Sequence, residues 1–289
     1  MKTRKKRSLR RLPDGSRRPP GTDYGFLIFI VVLSLAAGYL LSVFFPPRLP
    51  KKNFVPVPGV SQKPPLQKTP DKIAFIIDDN GYSDEACRFI QAIPQPMAVA
   101  VLPHLPYSKR VAACAHAANK EVMLHLPLEP HVNQEKYPEG YVITTAMSAK
   151  TIARTLEDAL ASVPYAAGVN NHMGSKATED RATMTTLFKI FRQRGLFFID
   201  SRVTLNSMAP AMAPASGVPF AERDVFLDNK NDRAYIEGQF AELAREARKK
   251  GQAIGIGHAR ALTWTILKEQ AQRLEQEGFR VVPVTDILR

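Results

Sequence analysis

Residues 73–81 read Ile-Ala-Phe-Ile-Ile-Asp-Asp-Asn-Gly, five apolar residues followed by two carboxylates, an amide and a glycine. An apolar run of this length, bounded by turn-forming residues, is typical of a strand that is buried on both faces of a parallel sheet. Similar runs recur along the chain, at residues 97–102, 121–124, 166–170, 196–199, 225–227, 253–256 and 280–284. The sequence therefore predicts a series of buried strands.

The segments between these runs carry helical patterns, with apolar residues on one face and capping residues at the ends. The predicted first residues include Ser83, Ser108, Asp180, Asp232 and Thr263. Strands that alternate with helices pair in parallel through right-handed crossovers. We expect an α/β domain over residues 72–289, folded as a deformed, incomplete (β/α) barrel of the glycoside hydrolase/deacetylase type. A doubly wound sheet is the alternative.

Histidine and aspartate residues follow most of the apolar runs. They are Asp78, Asp79, His104, His125, His172, Asp200, Asp228 and His258. In a barrel the carboxyl ends of the strands share one face, so these side chains are expected to meet there although they are far apart in sequence. Taken alone, Asp200 or Asp228 fits a helix cap or a turn as well as it fits a functional site.

The adjacent carboxylates of Asp78 and Asp79 indicate more than a turn. Two neighbouring carboxylates repel each other unless they share a cation or a proton, and Gly81 lets the backbone turn sharply after them. One carboxylate with two imidazoles, leaving positions open for water, is a ligand set for a divalent metal. The sequence therefore predicts a metal site formed by Asp79, His125 and His172, with Zn²⁺ as the expected ion.

Five short motifs together resemble one known family. IIDDNG (residues 76–81), HLPLEP (125–130), GVNNHMGS (168–175), FFIDSR (197–202) and GIGHAR (255–260) are similar to motifs of the divergent polysaccharide deacetylases, relatives of the NodB-homology esterases of carbohydrate esterase family 4. The resemblance implies a deformed (β/α) barrel. It also implies a metal-dependent N- or O-deacetylase whose substrate is an acetylated envelope polysaccharide or peptidoglycan.

The resemblance further implies roles for single residues. Asp78 matches the catalytic base, Asp79 and His172 match metal ligands, and His258 matches the general acid. In the main esterase family a second His follows the first by four residues, where this chain has Lys176. We take His125 as the substitute ligand because it lies on the same predicted face.

A further role and two alternative functions stay open at the level of the sequence. Asp200 or Arg202 is expected to orient His258 or to bind sugar hydroxyls. A glycosidase that uses Asp78 or Asp79 together with Asp200 is one alternative function. A catalytically weak or inactive glycan-binding or scaffold protein on the same fold is another.

The formal charge of +13 is concentrated near the amino terminus. The first 24 residues hold nine basic and two acidic residues, and residues 46–71 hold five basic residues and one acidic residue. Residues 72–289 carry 26 basic and 24 acidic residues, so this part of the chain is nearly neutral. A nearly neutral domain gives no electrostatic basis for binding nucleic acid. The sequence also lacks the glycine-rich phosphate-binding motifs G-x-G-x-x-G and G-x-x-x-x-G-K-[ST].

Residues 26–45 are twenty consecutive uncharged and mostly apolar residues, which predicts a transmembrane signal anchor. The basic tail, residues 1–25, is expected in the cytoplasm of a bacterium by the positive-inside rule. Residues 46–71 are proline-rich and are interpreted as an extended linker that holds the domain on the periplasmic side of the inner membrane. The two cysteines, Cys87 and Cys114, fall on predicted helices, and their pairing stays open.

Overall fold

A computed structural model describes residues 69–132 and 141–289, and the fold is given for these residues. They contain nine strands: β1 (Lys72–Asn80), β2 (Ala98–Val101), β3 (Glu121–Leu128), β4 (Ala166–Met173), β5 (Phe197–Asp200), β6 (Phe220–Glu222), β7 (Val225–Phe226), β8 (Gln252–His258) and β9 (Arg280–Val281). All paired strands are parallel. The strand order is β6-β5-β4-β3-β2-β1-β8-β7, with β9 beside β1.

Helices connect most of these strands. In the described residues they are α1 (Ala86–Ala92), α2 (Ser108–Ala117), α3 (Ala149–Ser162), α4 (Arg181–Arg194), α5 (Ala209–Ser216), α6 (Arg233–Lys250) and α7 (Ala261–Gln276), followed by a short 3₁₀ helix (Val284–Asp286). Because β1 lies between β2 and β8, the first and last long strands are neighbours, as in a (β/α) barrel and unlike a doubly wound sheet.

The two ends of the curled sheet are joined by one chain segment, residues 220–226. Its first part, β6, pairs with β5, and its last part, β7, pairs with β8. Between them, the amide of Arg223 donates to the carbonyl of Asp200 and the amide of Asp224 donates to the carbonyl of Ile254. The expected deformed, incomplete (β/α) barrel is confirmed, with β6 and β7 as its short and irregular part.

The core has two layers because the strands alternate in side-chain direction. Along β1, Ile73, Phe75 and Ile77 belong to the layer between the sheet and the helices. Ala74 and Ile76 belong to a smaller inner cluster that also includes Ile254 and Ile256 of β8. Because both faces of β1 are buried, its residues form a continuous apolar run, and the run at residues 73–77 therefore predicts a strand of this kind.

The carboxyl-terminal residues cover the amino end of the barrel. Val284 and Ile287 join the inner cluster. The carboxylate of Glu121, at the start of β3, accepts hydrogen bonds from the amides of Val284 and Thr285 and from the Thr285 hydroxyl. The last residue, Arg289, exchanges two backbone hydrogen bonds with Phe220. The carboxyl ends of the strands therefore form the remaining open end of the barrel.

Several predicted helix ends are confirmed and others are wrong. The side chains of Asp180 and Asp232 cap α4 and α6 as expected. Thr263 does not begin the last helix, which starts two residues earlier, and its hydroxyl instead donates to Asp228. The pattern also misses α5 and β6, because α5 contains prolines and has no apolar stripe and β6 has only three residues.

The basic tail (1–25), the predicted membrane span (26–45) and all but the last three residues of the predicted linker (46–71) lie outside the described residues. Among the described residues, no helix has both the length and the apolar character that a membrane crossing requires. Cys87 and Cys114 lie on α1 and α2, as the sequence predicts, and both are partly exposed.

Replacing Glu121 with Ala is expected to lower the free energy of unfolding by about 2 kcal/mol, because three donors of the carboxyl-terminal segment lose a charged acceptor. Urea unfolding of the full chain measures the change. Glu277→Ala is the matched control, since Glu277 makes an exposed ion pair with Arg273 and its loss is expected to cost less than about 0.5 kcal/mol. Equal effects of the two substitutions would contradict this account of the segment.

Candidate metal and catalytic site

The loop after β1 brings two adjacent carboxylates to the same imidazole. Successive strand residues normally point to opposite faces, but the register of β1 shifts between Ile77 and Asn80, and Asp79 has a left-handed backbone with φ of 59°. As a result, Asp78 Oδ2 lies 3.7 Å from His125 Nε2 and Asp79 Oδ1 lies 3.3 Å from the same nitrogen. The Asn80 side chain supports the irregular strand end by donating to the carbonyls of Ile77 and Ala100.

Three ligand-type atoms converge at the open end of the barrel. Asp79 Oδ1 lies 3.1 Å from His172 Nδ1 and 3.3 Å from His125 Nε2, and the two nitrogens are 3.1 Å apart. Asp79 Oδ1 is buried and makes no well-aligned hydrogen bond in the described part of the chain. A buried carboxylate oxygen that faces two imidazole nitrogens without hydrogen-bond geometry is arranged as a metal ligand would be. The predicted set of Asp79, His125 and His172 is thus brought together.

The charges of these groups depend on one another. Burial would raise the pKa of Asp79, but the neighbouring imidazoles of His125 and His172 outweigh it and hold that pKa well below its usual range. Burial lowers the pKa of His172, and the nearby His125 adds to this effect. These shifts favour an ionised Asp79 and a neutral His172, which are the forms that bind a metal ion. Burial would lower the pKa of His125 as well, but the carboxylates of Asp78 and Asp79 outweigh it and raise that pKa, so a metal ion would have to displace a proton from His125.

Asn170 determines how His125 presents its ring. Asn170 Oδ1 lies 2.9 Å from His125 Nδ1, and Asn170 Nδ2 donates to Asp78 Oδ1 at 2.7 Å. Because the amide nitrogen faces the carboxylate, the amide oxygen must accept from Nδ1–H of His125. In the neutral ring this assignment leaves the lone pair of Nε2 facing Asp79 and His172. Sequence reasoning missed Asn170, although an amide within a predicted apolar strand was a signal for it; in the structure this amide is fully buried.

Asp78 is almost completely buried beside this network. Burial raises the pKa of Asp78 and outweighs the opposite effects of His125 and of the hydrogen bond from Asn170. One carboxylate oxygen is held by Asn170, and the other faces the site. Such a carboxylate can accept a proton more readily than an exposed one.

His258 approaches the same site from β8. Its Nδ1 lies 2.8 Å from Asp228 Oδ1, and Asp228 Oδ2 accepts from the His258 amide and from the Thr263 hydroxyl. Burial would lower the pKa of His258, but the hydrogen bond with Asp228 outweighs it and the pKa is raised. Its Nε2 lies 3.9 Å from Asp79 Oδ2, so the free side of the ring faces the carboxylate of the metal set.

Asp200 does not orient His258, and that part of the sequence expectation is corrected. Asp228 holds His258 instead, because it ends the segment that pairs with β8. Asp200 Oδ1 accepts from the amide of Arg202, and Arg202 Nε lies 3.6 Å from Glu222 Oε1. The expected binding of sugar hydroxyls by Asp200 and Arg202 stays a prediction.

Comparison with known proteins identifies the family. The profile of the divergent polysaccharide deacetylases matches residues 75–288. The chain belongs to the divergent polysaccharide deacetylase family. The match begins within β1, runs past β9 and contains every residue of the site described above.

Two curated proteins and one solved structure are similar to this chain. The chain is 36% identical over 203 residues to YibQ of Escherichia coli (strain K12), covering 70% of this chain and 63% of that protein, which is itself described as uncharacterized. It is 35% identical over 206 residues to a protein of Haemophilus influenzae (strain ATCC 51907 / DSM 11121 / KW20 / Rd), covering 71% of this chain and 73% of that protein. The crystal structure of ATU2773 from Agrobacterium tumefaciens C58 shares the fold, with a TM-score of 0.71 and 22% identity. The similarity covers 76% of this chain and 89% of ATU2773.

In this member of the family, Lys176 has a structural contact at the position where the main esterase family has its second His. Lys176 Nζ donates to Glu129 Oε1 at 2.7 Å, and Glu129 Oε2 accepts from the amide and hydroxyl of Thr145. The backbone amides of Lys176 and Ala177 both donate to the carbonyl of Glu129. Lys176 therefore ties the loop after β4 to the loop after β3, and His125 occupies the place beside Asp79 and His172.

Replacing Lys176 with Met is expected to lower the free energy of unfolding by about 1–2 kcal/mol, because the nearly buried carboxylate of Glu129 loses its charged partner. Urea unfolding measures this change, with exposed Lys189→Met as the matched control. Bound metal per chain is expected to stay the same in both variants. Loss of metal in Lys176→Met with unchanged stability would contradict a structural role.

Proposed function

We propose that this protein is a metal-dependent deacetylase that removes acetyl groups from an acetylated envelope polysaccharide or peptidoglycan sugar. The observation that carries the proposal is the convergence of Asp79 Oδ1 with two imidazole nitrogens at 3.1 and 3.3 Å, beside a second buried carboxylate. The residues that would hold the ion are Asp79, His125 and His172. A divalent ion such as Zn²⁺ supplies Lewis acidity toward an acyl oxygen and lowers the pKa of water.

The remaining residues divide the proton transfers between them. Asp78 is the general base, since it is buried, held at one oxygen by Asn170 and faces the site with the other. His258 is the general acid for the leaving amine or alcohol, because Asp228 holds its Nδ1 and favours the protonated ring. These two groups approach the metal set from β1 and β8, which are paired at Asp78 and His258.

The proposed location follows from the sequence alone. The apolar segment 26–45 anchors the chain in the bacterial inner membrane, with residues 1–25 in the cytoplasm and the deacetylase domain in the periplasm. An envelope glycan would be within reach of a domain on the proline-rich linker 46–71.

Metal binding is the first test of the site. Wild-type full-length chain is expected to bind about one divalent ion, and Asp79→Ala and His172→Ala are each expected to lose most of it, because each removes one of three ligands. Metal analysis of the purified proteins measures this. His131→Ala is the matched control, since His131 is an exposed His paired with Glu179. Unchanged metal content in both ligand variants would refute the site.

Acetate release tests the catalytic assignment. Asp78→Asn keeps the shape of the side chain but removes the base, so acetate release from an acetylated glycan is expected to fall about 10²- to 10⁴-fold while metal content is retained. Asp158→Asn is the control, because Asp158 also contacts a histidine, His104, but outside the site.

The two alternative functions give different results in the same assay. Wild-type chain that binds a glycan but releases no acetate would be a glycan-binding protein. Cleavage of the glycan chain without acetate release would indicate a glycosidase.

A further inference from the structure

The two cysteines of the chain lie on neighbouring helices. Cys87 belongs to the first turn of α1 and Cys114 to the second half of α2, and both are partly exposed. Because α1 follows β1 and α2 follows β2, and these two strands are paired in parallel, the two helices run side by side in the same direction. Free cysteines are among the most buried residues in folded proteins, whereas these two thiols can be reached from solvent.

Contacts on both sides of the thiols fix how α1 packs against α2. Before Cys87, Asp84 Oδ2 lies 2.9 Å from Arg110 Nη2. After it, Gln91 Nε2 lies 3.9 Å from Cys114 Sγ. The amide of Cys87 donates to the carbonyl of Asp84, so Asp84, Cys87 and Gln91 follow one helical face at spacings of three and four residues. The face of α1 that contains Cys87 is therefore the face that contacts Arg110 and Cys114.

The two thiols also interact directly across this helix contact. The Cys87 side chain lies within hydrogen-bond reach of the Cys114 thiol. Burial raises the pKa of Cys114 to about 12, and the neighbouring Cys87 adds to this effect. A disulfide requires the two Cβ atoms to be about 4 Å apart, with side chains that point toward each other. Since the helices already hold the thiols against each other, rotation of the side chains is sufficient to join them.

We propose that Cys87 and Cys114 are an oxidisable pair that forms a disulfide between α1 and α2 by exchange with a disulfide oxidant, such as an oxidised thiol–disulfide oxidoreductase. The chain has no other cysteine, so this is the only disulfide that can form within it. The inference goes beyond the proposed function and does not depend on it, because the metal set of Asp79, His125 and His172 contains neither thiol.

The exchange takes place in two steps that conserve atoms and electrons. The Cys87 thiolate attacks one sulfur of the oxidant, a Cys87–oxidant bond forms, and the other sulfur of the oxidant leaves and takes up a proton. Cys114 then loses its proton to solvent and attacks Cys87 Sγ, and the second sulfur of the oxidant leaves as a thiol. Two protein thiols are oxidised, and one oxidant disulfide is reduced to two thiols. Cys87 reacts first because the raised pKa keeps Cys114 protonated.

The disulfide would strengthen the wall of the barrel beside the loop that follows Asp79. That loop is already tied to the loop after β2, since the amide of Tyr107 donates to the carbonyl of Gly81 at 3.1 Å. A bond that closes residues 87–114 restricts the unfolded chain and so stabilises the folded one. Oxidation is therefore expected to raise the midpoint of thermal unfolding by about 5 °C.

Thiol trapping of the folded full-length chain tests the proposal, with glutathione disulfide as the oxidant. After incubation the chain is denatured in acid, alkylated and digested, and mass spectrometry identifies the state of each cysteine. Reduced wild type is expected to be alkylated at both cysteines. Oxidised wild type is expected to be alkylated at neither and to yield the peptides of Cys87 and Cys114 joined to each other.

Two variants show whether the bond depends on the facing thiols. Cys114→Ser is expected to stop at a mixed disulfide between Cys87 and glutathione, without the rise in unfolding temperature, because no second thiol releases it. The matched control combines Cys114→Ala with Ala113→Cys, which moves the thiol by one residue to an exposed position on another face of α2. This control is expected to accumulate mixed disulfides with glutathione. Metal content is expected to be the same in all variants.

Three results would overturn the inference. The first is wild type that keeps two free thiols or stops at mixed disulfides in excess glutathione disulfide. The second is a disulfide between two copies of the chain in place of the bond within one. The third is a control pair of Cys87 and the cysteine at position 113 that joins as completely as the natural pair. Because the wild-type result alone decides the first two, the test does not depend on the folding of any variant.

Discussion

Two hydrogen bonds, from His125 to Asn170 and from Asn170 to Asp78, join three strands inside the open end of the barrel. His125 and Asn170 are paired across neighbouring strands, but Asp78 lies on β1, two strands further along the sheet. The bonds therefore span the interior of the curled sheet. An unpaired polar group at this depth would be costly. The network consequently fixes both the His125 imidazole of the metal set and the Asp78 carboxylate proposed as base.

The backbone at the open end is strained in the places where these side chains are presented. Of the six non-glycine residues with positive φ in the described residues, four lie at the carboxyl end of a strand or within three residues after it: Asp79, His104, Met173 and Arg202. Such conformations persist only when the surrounding structure determines them. Near Asp79 this support is local, since the Asn80 side chain donates to the carbonyls of Ile77 and Ala100. The opposite end of the barrel is closed separately, by the carboxyl-terminal segment bound to Glu121.

The sequence predicts the fold and the metal set for a simple reason: apolar runs predict strands, and parallel strands bring their ends together. It does not predict which polar groups hold the functional ones. Asp200 and Asp228 look alike in sequence, and only the pairing of β7 with β8 shows that Asp228 holds His258. Thr263 is a plausible helix cap, yet its hydroxyl donates to Asp228. These partners are set by strand register, which one sequence does not encode locally.

The departure from the main esterase motif has a physical explanation in two neighbouring loops. His125 and Glu129 belong to the same motif, HLPLEP, at the end of β3. His125 supplies the imidazole that faces Asp79, and Glu129 binds Lys176, which occupies the position of the second His of the main family. A Lys there would repel a metal ion if it faced the site, and the ion pair with Glu129 holds it away. One motif thus supplies both the imidazole beside Asp79 and the carboxylate that binds Lys176, which is why the change to Lys is compatible with a metal site formed by Asp79, His125 and His172.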